Sequence, residues 1–399
     1  MKTTSQLFSA VFLYSIICVL LSSCSTSQTI SVNGMQCIQP KLDAIPTEVT
    51  LYWDKNGGSD SRQIPSREPI PLWMSPQLNW LQQMQLSADS SLVDMALGGN
   101  IVWMAYVDYI GRYDMSTHRF ELYDIKKQDP FLRISDILVT RDNNLWISGI
   151  HSSSDRQYSV LMHHNIDRDS FDVIDDIDGL FQPDVDVREN IIGAGLHSVL
   201  KESLDGDVLF VLRGEIYSYN LLTNKAKVIF DRPEMYALTI ESDPRGMIWF
   251  TILDDDRVWM IVPATGGLQS FELPILFSEL DKGYSSHGYT LYLDSRYRLW
   301  IPSWGYLDTS KKDFSWQFLV PSPMFVSLYD PEHDFIWDAA KTFESQNGSI
   351  WFTSNNGIIY YDLEKGDACW ISPKPGPVIE MSDGTLLMLL ENQLYEYTP

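Results

Sequence analysis

The distribution of apolar and polar residues along the chain changes at about Leu78. From there to the C-terminus, short runs of alternating apolar and polar residues are interrupted by Gly, Asn, Asp and Pro. Alternation with a period of two predicts strands buried on one face, and the interrupting residues are typical of tight turns. No stretch has the long, capped pattern of an amphipathic helix. We therefore predict that residues 78–399 fold as an all-β domain.

A repeated unit organises this domain. Each copy has a turn residue, two further residues, a large apolar residue and more apolar positions, as in NNLWIS (143–148) and GMIWFT (246–251). The large apolar residues are Trp103, Trp146, Leu209, Trp249, Trp300, Trp351 and Leu387. Units of roughly 40–50 residues are typical of β-propeller blades. We predict a seven-bladed propeller; the longer interval before Leu209 leaves six or eight blades as alternatives.

The way the ring closes is also predicted from the strands. Each unit has room for four strands, but the last one supplies only PVIEM, TLLMLL and QLYEYT before the chain ends. NWLQQMQL (79–86) precedes the first unit and is predicted to complete the last blade, which would remove an exposed strand edge. The turn residue is Gly or Asn in six units, as positive φ requires, and Tyr297 in the fifth. We expect the fifth turn to differ.

The N-terminus has the pattern of an export signal. Lys2 is followed by an apolar run from Leu7 to Leu21, too short for a comfortable membrane span. The run ends in Leu-Ser-Ser-Cys, which resembles the bacterial lipobox. The resemblance implies a diacylglycerol thioether on Cys24, cleavage before Cys24 and acylation of the new amine, with palmitate as the expected chain. An ordinary secretory signal followed by a chance Cys is the alternative.

These features divide the chain into three regions. Residues 1–23 are predicted to be a signal peptide, 24–77 a lipidated Cys24 with a tether, and 78–399 the propeller. The tether is polar to about Ile45, could form one strand at 47–53 (TEVTLYW), and is rich in Gly, Ser, Pro and charge at 54–71. Three acyl chains exceed the single chain that binds membranes only marginally. We expect an exported protein anchored in the cell envelope, at the outer membrane or the cell surface.

The four cysteines are consistent with export. Cys18 would leave with the signal peptide and Cys24 would carry the lipid, so Cys37 and Cys369 remain. An oxidising compartment permits a disulfide between them, and two separate thiols are an equal alternative.

The net charge narrows the range of partners. At -24, the chain repels phosphate backbones and anionic lipid head groups, which argues against nucleic acid as a partner. The predicted contact with a membrane therefore rests on the lipid at Cys24 alone.

Two of the units resemble a known group of repeats. The segments 242–274, beginning SDPRGMIWFT, and 344–373, beginning ESQNGSIWFT, are similar to repeats of the virginiamycin B lyase-like and two-component-regulator propellers. The lyase resemblance implies a metal-assisted elimination that uses His and Glu near the central channel. In that family Glu commonly follows Trp-Phe-Thr, whereas Ile252 and Ser354 stand there in this sequence. The resemblance supports the fold more than the activity.

Other candidate chemistry is sparse. The adjacent pair His163 and His164 would point to opposite faces of a strand, a poor arrangement for binding one metal ion. The run Asp254 to Asp256 lacks the alternation of a Ca²⁺ loop, so a solvated turn is favoured. Phosphate-binding, zinc-protease and serine-hydrolase motifs do not occur. We predict no cofactor, no metal and no catalytic residue.

The loops suggest where a ligand binds. In a propeller, the loops between second and third strands share one face with the connections between blades, and here those segments are long and aromatic. We name Tyr284, His287, Trp304, Tyr306 and His151 as the candidate binding face. Packing between enlarged blades is the alternative for these aromatics. The sequence favours a non-enzymatic binding or scaffold module for an envelope protein, a polysaccharide or a peptide; the alternative is a lyase or hydrolase acting on an exported substrate.

Overall fold

The structure is a computed structural model, and it describes residues 30–32, 35–38, 41–43, 78–83, 92–127, 129–153, 157–174, 199–212, 214–232, 234–253, 255–273, 290–301, 305–320, 341–354, 357–372, 376–390 and 393–397. Seven antiparallel sheets form the blades of a propeller, which confirms the predicted fold and blade count. Within these ranges, helical structure is limited to a 3₁₀ turn at Ile125–Lys127, and no helix could span a bilayer.

The strands of the first four blades follow one another along the chain. Four described strands precede them: β1 Ile30–Val32, β2 Met35–Ile38, β3 Lys41–Asp43 and β4 Leu78–Gln83. Blade 1 contains β5 Leu92–Gly98, β6 Ile101–Tyr106, β7 Tyr109–Asp114 and β8 Arg119–Asp124. Blade 2 contains β9 Leu132–Val139, β10 Leu145–Ser152, β11 Gln157–Asn165 and β12 Ser170–Ile174. Blade 3 contains β13 Lys201–Glu202, β14 Val208–Leu212, β15 Glu215–Asn220 and β16 Lys225–Phe230. Blade 4 contains β17 Ala237–Ser242, β18 Ile248–Ile252, β19 Arg257–Val262 and β20 Gly267–Glu272.

The last three blades also recruit strands from the N-terminal region. Blade 5 contains β21 Tyr292–Leu293, β22 Arg298–Ile301, β23 Gly305–Asp308 and β24 Ser315–Val320, with β3 added outside β24. Blade 6 contains β25 Lys341–Glu344, β26 Ile350–Ser354, β27 Gly357–Asp362 and β28 Asp367–Ser372, with β2 and β1 added outside β28. Blade 7 contains β29 Val378–Glu380, β30 Leu386–Leu390 and β31 Gln393–Tyr397, with β4 outermost.

Blade 7 closes the ring with strands from both ends of the chain. The strand β4 pairs antiparallel with β31, with Leu78 opposite Tyr397 and Asn79 opposite Glu396. The predicted closure is therefore confirmed for Leu78–Gln83, and residues 84–86 of the predicted strand lie outside the described residues. The pairing gives the third strand of blade 7 a neighbour along its outer edge, which protects it from pairing with other chains.

The large apolar column lies between the blades. Trp249 and Trp300 are fully buried, and each packs against the following blade: Trp249 contacts the cluster that includes Leu299, and Trp300 the cluster that includes Phe352. Each indole N–H also needs a partner when buried. The Asp six residues earlier supplies one, because Trp300 Nε1 donates to Asp294 Oδ2 over 2.8 Å. Truncating such a Trp to Ala should cost roughly 3–5 kcal/mol.

The fifth inner turn has the conformation of the inner turns in blades 2, 3, 4, 6 and 7, contrary to the sequence expectation. Tyr297 has φ of 60°, close to the 64° of Asn143 and on the same side as the 82° of Gly246. Its N–H donates to Asp294 O, as Gly246 N–H donates to Asp243 O. The Arg245 guanidinium lies 4.5 Å from the Tyr297 ring centroid, and this cation–π contact offsets part of the cost of the left-handed backbone.

A second repeated contact joins neighbouring blades at these turns. The backbone N–H after the first turn residue donates to a carboxylate at the end of the next inner strand: Arg141 to Glu202 (2.8 Å), Ser295 to Glu344 (2.7 Å) and Gln346 to Glu380 (2.8 Å). Between blades 4 and 5 the donor position is Pro244, which has no N–H, and the acceptor position is Leu293. This carboxylate contact is therefore made between blades 2 and 3, between blades 5 and 6 and between blades 6 and 7, and it is replaced between blades 4 and 5.

Part of the N-terminal region that the sequence predicts to be a tether forms strands paired with the propeller. Strands β1 to β3 lie within the stretch from Ser25 to about Ile45, and they extend blades 5 and 6 by main-chain hydrogen bonding. A polar composition concealed them, since edge strands are commonly short and polar. The strand predicted at 47–53, the loop at 54–71, the signal peptide and Cys24 all lie outside the described residues.

Candidate functional site

The central channel carries a group of charged side chains on the inner strands of three blades. Asp94, Asp136 and Lys341 occupy equivalent positions in β5, β9 and β25. Each stands opposite the residue two places after the Trp of the neighbouring strand, namely Ala105, Ser148 and Thr353. Equivalent registers place the three residues at the same level of the ring, so that side chains distant in sequence meet across the channel.

A lysine bridges two blades that are not neighbours. Lys341 Nζ of blade 6 lies 2.6 and 2.5 Å from the two carboxylate oxygens of Asp94 in blade 1. Asp94 is buried, whereas the Lys341 side chain keeps 46 % of its surface exposed. Because this lysine lies inside the ring and is still accessible to water, the channel is open at this level.

The second carboxyl of this group has an unusual proton affinity. Asp136 Oδ2 accepts a hydrogen bond from the Leu200 N–H of blade 3 over 2.8 Å. Burial and, after it, the negative charge of Asp94 raise the pKa of Asp136 to about 7. Burial lowers the pKa of Lys341, but the two carboxyls outweigh it and the pKa is raised overall. Near neutral pH the Lys341 ammonium therefore faces Asp94, and Asp136 is about half protonated.

A second ion pair lies two positions further along the inner strands, opposite the large apolar column. Lys201 Nζ of blade 3 is 2.7 Å from Glu241 Oε2 of blade 4, whose side chain is only 10 % exposed. Burial raises the pKa of Glu241 despite the facing lysine. Tyr292 of blade 5 follows, and its hydroxyl oxygen accepts the Glu344 N–H of blade 6. The inner strands thus present a polar lining whose members bind one another.

The face at which the blades are connected carries a second group. His151 near the end of β10 has its Nδ1 2.6 Å from Asp129 Oδ2, in the segment that joins blades 1 and 2. The Phe131 ring lies 5.5 Å from the imidazole and is 48 % exposed. This group offers an apolar ring next to a hydrogen-bonded imidazole.

The residues named as the candidate binding face have different positions. His151 lies on the predicted face, with its side chain 14 % exposed. Tyr306 is buried at 9 %, with its ring 4.8 Å from that of Trp300; it belongs to the packing between blades 5 and 6, and the expectation of an exposed aromatic does not hold for it. Tyr284, His287 and Trp304 lie outside the described residues.

The remaining candidates behave as structural groups. His163 packs on Trp146 and His164 on Trp103, on opposite sides of blade 2, as predicted. In the run 254–256, the Asp255 carboxylate accepts hydrogen bonds from Arg257 and from Trp259 Nε1. Among the described residues, no three His, Cys, Asp or Glu side chains converge as a metal site would require.

Sequence reasoning missed the channel group. The available signal was a charged residue at the same place in the inner strands of three blades, four residues before the turn in blades 2 and 6. A single charged residue in a strand normally marks a solvated face. Only the register between blades brings Asp94, Asp136 and Lys341 together, and the sequence of one unit does not contain that information.

The comparisons with known proteins support the fold. No protein-family model matches the chain, and neither does any curated protein. Among solved structures, virginiamycin B lyase from Staphylococcus aureus is 13 % identical with a TM-score of 0.54, covering 81 % of this chain and 99 % of the lyase. The extracellular domain of the hybrid two component system BT3049 from B. thetaiotaomicron is 16 % identical with a TM-score of 0.55, covering 82 % of this chain and 41 % of that one. YCF48 from Cyanidioschyzon merolae is 10 % identical with a TM-score of 0.51, covering 80 % and 99 %. The chain therefore shares the propeller fold of the lyase-like and sensor domains that two of its units resemble.

Proposed function

We propose that this protein is an exported, lipid-anchored binding module of the bacterial cell envelope, and that it engages an envelope protein, polysaccharide or peptide through one face of the propeller. This loop-rich face is defined by the segments 175–198, 274–289 and 321–340 with Phe131 and His151. Anchoring is through the lipid predicted at Cys24.

One observation carries the proposal. The three long segments all run from an outer strand to the inner strand of the next blade, between β12 and β13, β20 and β21, and β24 and β25. In a propeller these connections begin and end on one face. The opposite face has the inner turns and the short turns before the outer strands. Long loops gathered on one side of a rigid scaffold are the usual arrangement of a binding surface.

The chemistry of the described residues favours binding over catalysis. In the channel, Asp94 and Glu241 are each paired with a lysine, and on the loop-rich face the imidazole of His151 is bound to Asp129. A general acid–base pair needs two titratable groups within reach of one substrate atom. Phe131 instead provides an exposed aromatic surface, which suits a peptide or a sugar ring.

Proteins of the same fold agree with a location outside the cytoplasm and with a binding role. The BT3049 domain is extracellular, and YCF48 has been solved bound to D1 peptide. Both are far too distant in sequence to transfer a ligand, and they support the class of function only.

A photo-crosslinking experiment tests the proposal in the cell. A benzophenone amino acid replaces Phe131 on the loop-rich face or Trp304, which belongs to the binding face predicted from the sequence, and in the control Leu222, which is 95 % exposed in the turn between β15 and β16 on the opposite face. We expect a discrete adduct from the first two positions and none from Leu222. Equal adducts from both faces, or none at all, would refute the choice of face.

A second measurement addresses the enzymatic alternative. A catalytically inactive virginiamycin B lyase has been solved with quinupristin, so we choose quinupristin as the test substrate. The purified mature chain is incubated with it, with and without divalent cations, and the products are followed by mass spectrometry. We expect the compound to remain intact; a linearised product would favour the lyase.

A further inference from the structure

The N-terminal strands attach the start of the chain to the rim of the propeller. Strands β1 and β2 form a hairpin, and β2 pairs with β28, the outer strand of blade 6. Strand β3 then pairs with β24, the outer strand of blade 5. We call residues 30–43 the strap. It crosses the outer edges of two adjacent blades before the chain returns to complete blade 7.

A disulfide lies in the strand of blade 6 to which the strap pairs. Cys369 in β28 is disulfide-bonded, and the residue directly opposite it on β2 is Cys37. Cys18 and Cys24 are the other cysteines of the chain, and the predicted processing removes one and acylates the other. Cross-strand neighbours are close enough for a disulfide, since Cα atoms of bonded cysteines lie about 4.4–6.8 Å apart.

We propose that the Cys37–Cys369 disulfide fastens the strap to blade 6, and that the short chain between Cys24 and the strap holds the propeller edge-on to a lipid bilayer with blades 5 and 6 nearest the membrane. The proposal rests on the lipid anchor of the proposed function. The two thiols lose two protons and two electrons to a disulfide donor of the oxidising envelope, by thiol–disulfide exchange.

The length of chain between the lipid and the strap sets the distance. Residues 25–29 separate Cys24 from Ile30, and at 3.3–3.6 Å per residue they reach at most about 20 Å. A globule of this size is about 50 Å across. The rim at blades 5 and 6 is therefore held close to the bilayer, and blade 2, on the other side of the ring, is held away from it.

This orientation keeps the loop-rich face accessible. The rim is the edge of the ring, so neither face lies flat on the bilayer, and a partner can approach the loop-rich face from the side. Electrostatic attraction would not produce this orientation, because a chain with a net charge of -24 is repelled by anionic lipid. A covalent attachment at one point of the rim is what selects the edge.

Energy transfer to the membrane tests the orientation. The full lipoprotein is placed in vesicles of phosphatidylethanolamine and phosphatidylglycerol that contain an acceptor-labelled lipid. A donor dye is attached through an azido amino acid at Glu364 of blade 6 or, as a matched carboxylate, at Asp167 of blade 2. Both residues are exposed, two residues after the end of the third strand. With the two sites up to about 50 Å apart, we expect at least about twofold more transfer from Glu364.

The Cys37→Ser variant is the test of the disulfide. Without it the strap can detach, so that the first fixed point after Cys24 becomes Leu78. A random coil of that length spans about 40 Å, so the difference between the two dye positions should largely disappear. Reduction of the wild-type protein on the vesicles should have the same effect, which covers a variant that folds poorly. Non-reducing peptide mapping should recover Cys37 joined to Cys369.

The outcomes separate the orientation from the anchor. Equal transfer from Glu364 and Asp167 in a protein that floats with the vesicles refutes the orientation and leaves the anchor intact. A difference that persists after Cys37→Ser and after reduction refutes the role of the disulfide. A protein that does not float refutes both the anchor and the orientation, and a peptide joining Cys369 to Cys24 does the same.

Discussion

The Asp136 carboxyl in the channel makes the free energy of unfolding depend on pH in a direction unusual for an aspartate. Asp136 has a folded-state pKa of about 7, above the ordinary value of 3.8, because burial and Asp94 disfavour its charge. The folded chain therefore binds this proton more tightly than the unfolded chain does. The resulting stabilisation is complete below about pH 4 and is lost as the pH rises through about 7. Asp136→Asn removes the titrating group while preserving its shape.

The magnitude follows from the two pKa values. At about 1.36 kcal/mol per pKa unit, charging Asp136 in the folded chain costs at most about 4 kcal/mol. Water reaches the channel, since the Lys341 side chain is 46 % exposed, and its screening reduces this cost to about 1–2 kcal/mol. The Asn amide can still accept from the Leu200 N–H and can donate to Asp94. We therefore expect Asp136→Asn to exceed the wild type in stability by about 1–2 kcal/mol at pH 8 and by less than half of that at pH 5.

Urea unfolding of the mature chain at pH 5 and pH 8, followed by tryptophan fluorescence, measures this difference. Asp383→Asn is the control, because Asp383 is a turn carboxylate whose pKa is lowered by the Thr385 N–H, and its loss should not stabilise at either pH. Lys341→Gln should have the opposite effect to Asp136→Asn: the free energy of unfolding should fall more steeply above pH 5 than it does in the wild type. Parallel pH profiles for the wild type and Asp136→Asn would refute the reasoning.

Three other predictions concern the anchor, the repeated turn and the close approach of two strands. Cys24→Ala should release the protein from the membrane fraction or leave the precursor unprocessed, and labelled fatty acid still attached to the variant would contradict the lipobox. Asp294→Ala should lower the free energy of unfolding by about 2–4 kcal/mol, because it leaves the buried Trp300 indole N–H unpaired and the Arg298 guanidinium without its acceptor; a loss below about 1 kcal/mol would be too small for this role. Gly305→Ala should lower the melting temperature more than Gly246→Ala does, because a Cβ at Gly305 would lie 2.1 Å from Gln317 O. A Cβ at Gly246 has space, so that variant meets only the cost of positive φ, about 1 kcal/mol. Equal shifts in melting temperature would contradict the steric argument.

The fold was accessible from the sequence because each blade repeats a local pattern. The Trp column, the turn residue three places earlier and the incomplete last blade are all properties of short segments, and they were enough to predict seven blades and their closure. Tyr297 was misjudged because a cation–π contact from Arg245, in the neighbouring blade, supports its backbone conformation. The strap was missed for a related reason, since three- and four-residue strands at a blade edge have too few positions to show alternation.

The candidate site was harder to predict because its parts come from different blades. Tyr306 was assigned to the loop-rich face from its position near a predicted loop, and its ring packs against Trp300 instead. Asp94, Asp136 and Lys341 each look like an isolated polar residue in a strand. These three side chains meet only because the inner strands of blades 1, 2 and 6 are aligned along the channel axis, and that alignment is fixed only when the ring closes.

The carboxylates at three inner turns give a physical reason why the long connections begin and end on the other face of the propeller. At three of these turns the backbone N–H is bound to Glu202, Glu344 or Glu380 of the next blade. An insertion at such a turn would break a charge-assisted hydrogen bond and leave a half-buried carboxylate without its donor, at a cost of about 1–3 kcal/mol. The connections between blades on the other face can lengthen without disturbing these bonds. New loop sequence, and with it new binding chemistry, is therefore tolerated on the loop-rich face, while the opposite face holds the ring together.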